Sequence, residues 1–145
     1  MDKHLRVDTI AQAIVRSGVA RHPVGPVGYV VGYALAGGHL RQELTVIAES
    51  VNPPGVTRDA WRRTAVEARL RVVEVEVVCS DRAEHRRRVT SRSTDTPGLP
   101  LQDWQQVISR EREREPWIRE RVVIDTAGQS PQQSLAPLHR GLASG

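Results

Sequence analysis

The chain has 145 residues, a single cysteine, no phenylalanine and a formal net charge of +4 at neutral pH. This length suits one domain around one core and is short for two, and one cysteine excludes an intrachain disulfide. No apolar run reaches the ~20 residues of a bilayer span, and Met1-Asp2-Lys3-His4-Leu5 lacks the apolar stretch of a secretory signal, so a cytoplasmic protein without membrane partners is expected. Lys3 is the only lysine among 21 cationic side chains. Such an arginine bias suits phosphate or carboxylate recognition, although a GC-rich genome is the plainer account. Aromatic residues are confined to Tyr29, Tyr33, Trp61, Trp104 and Trp117, which supplies few stacking surfaces and disfavours nucleic acid as a partner.

In chain order, Leu5-Arg6-Val7 predicts a short strand, and Asp8 opens a helix with Ile10 and Ile14 on one face, stopped at Gly18. A Pro/Gly loop over 21–26 leads into a helix carrying Val27, Val30, Val31, Ala34 and Leu35, up to Gly37-Gly38, with a further turn at 39–42. Leu44 to Ala48 reads as a buried strand delivering Glu49 at its carboxyl end. Thr57 is the expected N-cap of a helix turning Trp61, Ala65 and Ala68 inward. Val72 to Val78 is the strongest strand signal, its partial alternation suggesting one face less covered than in a central strand. It ends at Cys79, a small core residue by its valine neighbours.

Asp81 and Glu84 have capping-box spacing ahead of a helix carrying Arg86, Arg87, Arg88 and Arg92, with Thr96-Pro97-Gly98 as its expected end. A further helix holds Trp104, Val107 and Ile108 and runs into alternating charges before Pro116. Val122-Val123-Ile124 is a last strand ending at Asp125. Ser130, Pro131 and Gln133 announce a final helix, weakened at Pro137. Residues 1–136 are therefore read as the folded part and 137–145 as a flexible C-terminal tail. Strands alternating with helices, without a hairpin signal, imply an α/β domain with a parallel sheet between helical layers. Ligands of such sheets bind at the strands' carboxyl ends, here Asp8, Glu49, Ser80 and Asp125.

Several segments, taken in order and spacing, carry a resemblance. They are 5–10; Val46 to Pro53 with Thr57 to Trp61; Val75 to Asp81; His85 to Val89 with Arg92; and Glu115-Pro116-Trp117 with Val123 to Thr126. Together they resemble the body of the AAA-family ATP-binding proteins related to the small P-loop kinases, across residues 5 to 136. The resemblance implies a three-layer parallel α/β sheet of the P-loop NTPase, nucleotide-kinase-like type. In that family a GxxxxGK[ST] loop holds the nucleotide's phosphates at a helix N-terminus. Nothing here matches it: Lys3 is followed by His4 and Leu5, and neither 25–28 nor 37–40 contains a lysine. The missing piece is the first strand, the phosphate loop and the first helix, and a chain lacking them is not expected to hydrolyse ATP alone. The family's first strand lies mid-sheet, so two strands would lose a shared neighbour.

The same resemblance implies the roles. Asp8 takes the place of a carboxylate facing the phosphoryl acceptor, a general base for its hydroxyl proton; the plainer reading makes it a helix N-cap. Ala11 stands where some related kinases carry an arginine, which leaves the acceptor type open. Glu49 takes the Walker B-like position near magnesium, and Asn52 and Arg58 match polar substrate-side positions. Arg88 and Arg92, one helical turn apart, match lid arginines that neutralise phosphate charge, where a bland reading gives a solvated helix face. ATP and Mg²⁺ are the implied cofactors, and a nucleotide and a small-molecule acceptor the implied partners. The other reading, from a different class, is a non-catalytic arginine-rich module holding an acidic partner or nucleic acid. The five histidines show no metal-ligand spacing with each other or with Cys79.

Overall fold

The structure is a computed structural model describing residues 1–51 and 55–144, without the side chains of 55 and 56. The chain forms two compact units. The first comprises Met1–Val72 together with Thr94–Leu101 and Glu111–Pro116; the second comprises Val73–Ser93, Gln102–Arg110 and Trp117–Gly145. Each contains a parallel two-stranded sheet, which makes the protein α/β.

In the first unit, strand β1 (Asp2–Arg6) runs into helix α1 (Val7–Arg16), followed by α2 (Val27–Leu40), strand β2 (Thr45–Glu49) and α3 (Gly55–Glu67). β1 and β2 pair in parallel from Asp2↔Thr45 to Arg6↔Glu49. Helix α1 ends where Gly18 takes φ +80°, a left-handed conformation that costs glycine nothing. α2 contains no Asp, Glu, Lys or Arg and packs against α1, α3 and both strands. Its buried positions Gly28, Gly32, Ala36 and Gly37 are small, which lets neighbours approach closely. A Cβ on Gly32 would stand 2.9 Å from the Trp61 ring. That ring meets Tyr33 edge-on at 4.6 Å, and its Nε1 donates to Ser50 Oγ at 3.2 Å.

Two later segments return to this unit through arginines. Arg6 Nη1 donates to both carboxylate oxygens of Asp95 at 3.0 Å, and the buried Arg58 donates to the Glu115 carbonyl at 2.7 Å.

The second unit holds strand β3 (Val75–Val78), helix α4 (Arg82–Ser91), α5 (Trp104–Glu113, assigned here up to Arg110), strand β4 (Val122–Asp125) and α6 (Pro131–Ala143). β3 and β4 pair in parallel from Val75↔Val122 to Val78↔Asp125. Asp81 caps α4 by accepting the Glu84 N–H at 3.0 Å. Ser130 and Gln133 form the complete reciprocal capping box of α6.

Several expectations are corrected. α3 begins at Gly55, so Thr57 lies inside the helix rather than capping it. β3 is shorter than Val72 to Val78. α4 stops at Ser91 because Arg92 turns extended, φ −72° and ψ 154°, so Arg92 is outside the helix that was to carry it. α6 continues through Pro137 to Ala143; the proline removes one internal N–H donor, while the packing of α6 on β4 holds the last turns.

The alternation in β3 also has an unexpected sense. Glu74 and Glu76 have side chains only 10% and 12% exposed, because Arg119 and Arg121 close over them and Trp117 Nε1 donates to Glu74 at 2.8 Å. Val77 is 63% exposed, whereas Ile124, its partner on β4, is 5% exposed. In the first unit Ile47 of β2 is likewise 51% exposed. Among the described residues, neither β2 nor β3 is bonded to a strand other than its one partner.

The seat of α6 on β4 yields a test in which two effects have opposite signs. A Cβ on Gly141 would lie 2.5 Å from Val122 Cγ2 and 2.9 Å from Cγ1. Helix propensity alone favours Gly141→Ala by up to ~1 kcal/mol, whereas overpacking against a stiff β-branched side chain costs about 1–3 kcal/mol. The variant is expected to unfold at lower urea concentration than the wild type; a higher midpoint would show that α6 does not rest on Val122.

Candidate functional site

At the carboxyl ends of β1 and β2, the register places Arg6 opposite Glu49, and Asp8 follows two residues later in the first turn of α1. Arg6 becomes the centre of this end of the unit. Its Nη1 holds Asp95, and its Nε lies 3.6 Å from the Glu49 carboxylate. The hydrogen bond from Arg6, then its charge, holds the Asp95 carboxyl below its ordinary value. The same hydrogen bond, with the charges of Glu49, Asp95 and, least, Asp8, raises the Arg6 pKa. Glu49 also pairs with His4 Nε2 at 2.8 Å.

The structure places Glu49, the expected metal ligand, near a guanidinium that the sequence reading had not singled out, and Asp8, the expected base, in the first turn of the helix that follows β1. Asp8 is exposed and is not the helix cap, since Arg6 occupies that position. Arg58 is 7% exposed and bonded to the Glu115 carbonyl, which directs it towards its own unit's interior. Asn52 lies outside the described residues.

The second unit contains Arg88 and Arg92, and they do not act together. Arg88 donates to Thr126 Oγ1 at 2.8 Å and to the Thr126 carbonyl at 3.0 Å, and pairs with Glu84 one turn back. Glu84 in turn accepts the Gly128 N–H at 2.8 Å. α4 is thereby fastened to the loop that leads from β4 into α6. Arg92 points elsewhere, donating to the Gln102 carbonyl at 3.0 Å.

Beside this link, Asp125 Oδ1 accepts the backbone N–H groups of Ser80 and Ala127, both at 3.0 Å. Its carboxyl pKa is lowered, chiefly by the Ser80 side chain and then by these two N–H groups. The strand-end positions Ser80 and Asp125 therefore bind each other and close the β3 and β4 ends.

Sequence reasoning missed Arg6 and Asp95. Arg6 carried a signal, because it precedes Asp8 at the end of a strand. Asp95 had none, lying 89 residues away in a loop.

No known protein family, curated protein or solved structure matches this chain. Among the described residues, no group of three or more His, Cys, Asp or Glu could hold a metal ion, and no helix is long and apolar enough to cross a membrane.

Two outcomes follow from these contacts. Arg88→Ala leaves Glu84, whose side chain is 17% exposed, without its cation and cuts two bonds to Thr126. It is expected to lower stability by about 1–3 kcal/mol in urea unfolding, whereas a solvated arginine would change it by less than ~0.5 kcal/mol. The pH test concerns Asp95 and Asp125, whose folded-state pKa values are lowered. Their contribution is present above the ordinary aspartate value, about 3.9, and is lost as pH falls through the folded-state values. Asp125→Asn should flatten the decline of stability below about pH 4; an unchanged acid profile would remove Asp125 from the account.

Proposed function

We propose that this chain is the body of a P-loop kinase-like ATPase of the cytoplasm, whose complete form binds ATP–Mg²⁺ and transfers the γ-phosphoryl group to a small acceptor or to water. The observation that carries the reading is the pairing of the strands. A kinase-like sheet has its first strand in the middle; without that strand, two parallel pairs are left. Two parallel pairs, β1–β2 and β3–β4, are what the chain forms. Open apolar residues lie on the two strands that would border the missing one, Ile47 on β2 and Val77 on β3, and also on β4 at Val123. Parallel strands are ordinarily covered on both faces, so these exposures fit sheets that lack part of their covering layer. Asp8 and Glu49 at the strand ends fit the base and the magnesium-side carboxylate.

The described residues do not fit ATP–Mg²⁺ by themselves. The sequence has no GK[ST] loop, and Glu49 is engaged by His4 and faced by Arg6, a cation where a divalent ion would compete. Without the phosphate loop the chain is expected to be inactive.

The test is calorimetry of ATP with magnesium on this chain and on the same chain preceded by a strand–GxxxxGK[ST]–helix segment. The chain alone should not bind, and the lengthened chain should. In the lengthened chain Glu49→Gln should weaken magnesium-dependent binding. Asp8→Asn should spare ATP binding while slowing phosphoryl transfer about 10²–10⁴-fold. Failure of both chains to bind would overturn the ATPase reading and favour the arginine-rich binding module.

A further inference from the structure

Helix α2 is inside out for a helix at the surface of a compact unit. Its buried positions, Gly28, Gly32, Ala36 and Gly37, are the small ones, whereas the branched side chains of Val27, Val30, Val31 and Leu35 are 36–59% exposed. Ala34 is exposed as well, and a Cβ on Gly38 would meet no atom within 4 Å. At about 100° per residue, positions 27, 30, 31, 34, 35 and 38 share one side of the helix. That side has no polar side chain from end to end. Apolar residues exposed singly are ordinary on a protein surface, but a contiguous apolar face marks a surface that something covers.

We infer that this face docks on the same face of a second copy of the chain, the two α2 helices running antiparallel about a two-fold axis beside Val31. Val31 stands midway between Val27 and Leu35, so the axis brings the Val27 of one copy to the level of Ala34 and Gly38 of the other, and large side chains meet small ones. The charges suit this pairing. α2 contains no Asp, Glu, Lys or Arg, so two copies approach without like-charge repulsion. Its N-terminal end has no side-chain cap and no acid in its first turn. Exposed Glu43 follows its C-terminal end, while Arg41 lies back against buried Gly37, with Nη1 3.2 Å from where a Cβ would stand. Antiparallel pairing sets the C-terminal end of each helix, with its Glu43, beside the uncapped N-terminal end of the other, where negative charge is favoured. A lipid surface fits less well, because a helix lying on a membrane carries a basic face, and the far side of α2 is packed on its own unit. One helix face is small beside the ~800 Å² per partner of a standard interface, so the dimer is a weak one that separates on dilution.

The inference does not rest on the ATPase reading, because it uses none of the residues assigned to ATP, magnesium or the acceptor. The test is sedimentation velocity of the full chain over a concentration series, where a monomer–dimer equilibrium is expected. Val31→Lys and Val31→Glu each set two like charges beside the axis, and each should weaken association about tenfold or more. Far-UV circular dichroism and the urea midpoint identify a variant that has lost its fold rather than its partner. Mixed in equal amounts, the two variants should pair, because a two-fold axis at Val31 places the lysine of one copy against the glutamate of the other.

A wild-type chain that stays monomeric up to its solubility limit would overturn the inference, as would a dimer that persists in both variants or a mixture of folded variants that stays monomeric. A monomeric chain that instead sediments with phosphatidylcholine vesicles, and ceases to do so as Val31→Lys, would assign the face to a lipid surface and overturn self-docking. Dimerisation of this chain, combined with no ATP binding by the lengthened one, would sink the ATPase reading and leave this interface standing.

Discussion

A parallel pair of strands is not a self-sufficient unit of structure. Each strand satisfies one edge and leaves the other to solvent, and an isolated two-stranded sheet is marginal in water without helices or further strands against it. This chain contains two such pairs, and the rest of its architecture follows from how each is supported. In the first unit α2, an uncharged helix with a seam of small residues, packs on both strands and draws in α1 and α3. In the second, α6 lies on β4 and buries Ile124, while Val77 on β3 stays open. Ile47 on β2, Val77 on β3 and Val123 on β4 are exposed.

Arginine does much of the fastening that a larger core would otherwise do. Among the described residues, buried apolar side chains are few, and none of the large ones is completely enclosed. Arg6 ties 94–101 to the end of β1, Arg58 ties 111–116 to α3, and Arg88 ties α4 to the loop after β4. Arg119 and Arg121 close over Glu74 and Glu76. These links have a chemical consequence at the strand ends. At the ends of β1 and β2 the Glu49 carboxylate is paired with His4 and faced by Arg6.

Local signals were legible in the sequence wherever they were dictated by local chemistry. The Ser130–Gln133 capping box, the Asp81 cap, the stop at Gly18 and the strands ending at Glu49 and Asp125 are set by neighbouring residues, and the structure places them as read. What was not legible depended on distant partners. The Val/Glu alternation of 73–78 could not show that Glu74 and Glu76 would be covered by arginines 45 residues later. Pro137 was read by its local cost, which packing on β4 overrides. Arg88 and Arg92 were paired by helical spacing, but α4 ends between them and each finds a different acceptor. Asp95, joined to Glu49 through Arg6, had no local signature.

Under the proposed ATPase reading, β2 and β3 would each offer an edge to one further strand, and amide hydrogen exchange tests that proposal most directly. Exchange would be measured along β2 and β3 in this chain and in the same chain preceded by a strand–GxxxxGK[ST]–helix segment. The account predicts that alternate amides of Thr45–Glu49 and Val75–Val78, those facing away from β1 and β4, exchange rapidly in the chain alone and become protected in the longer one. Identical exchange in the two proteins, with these amides already protected or still open in both, would contradict it.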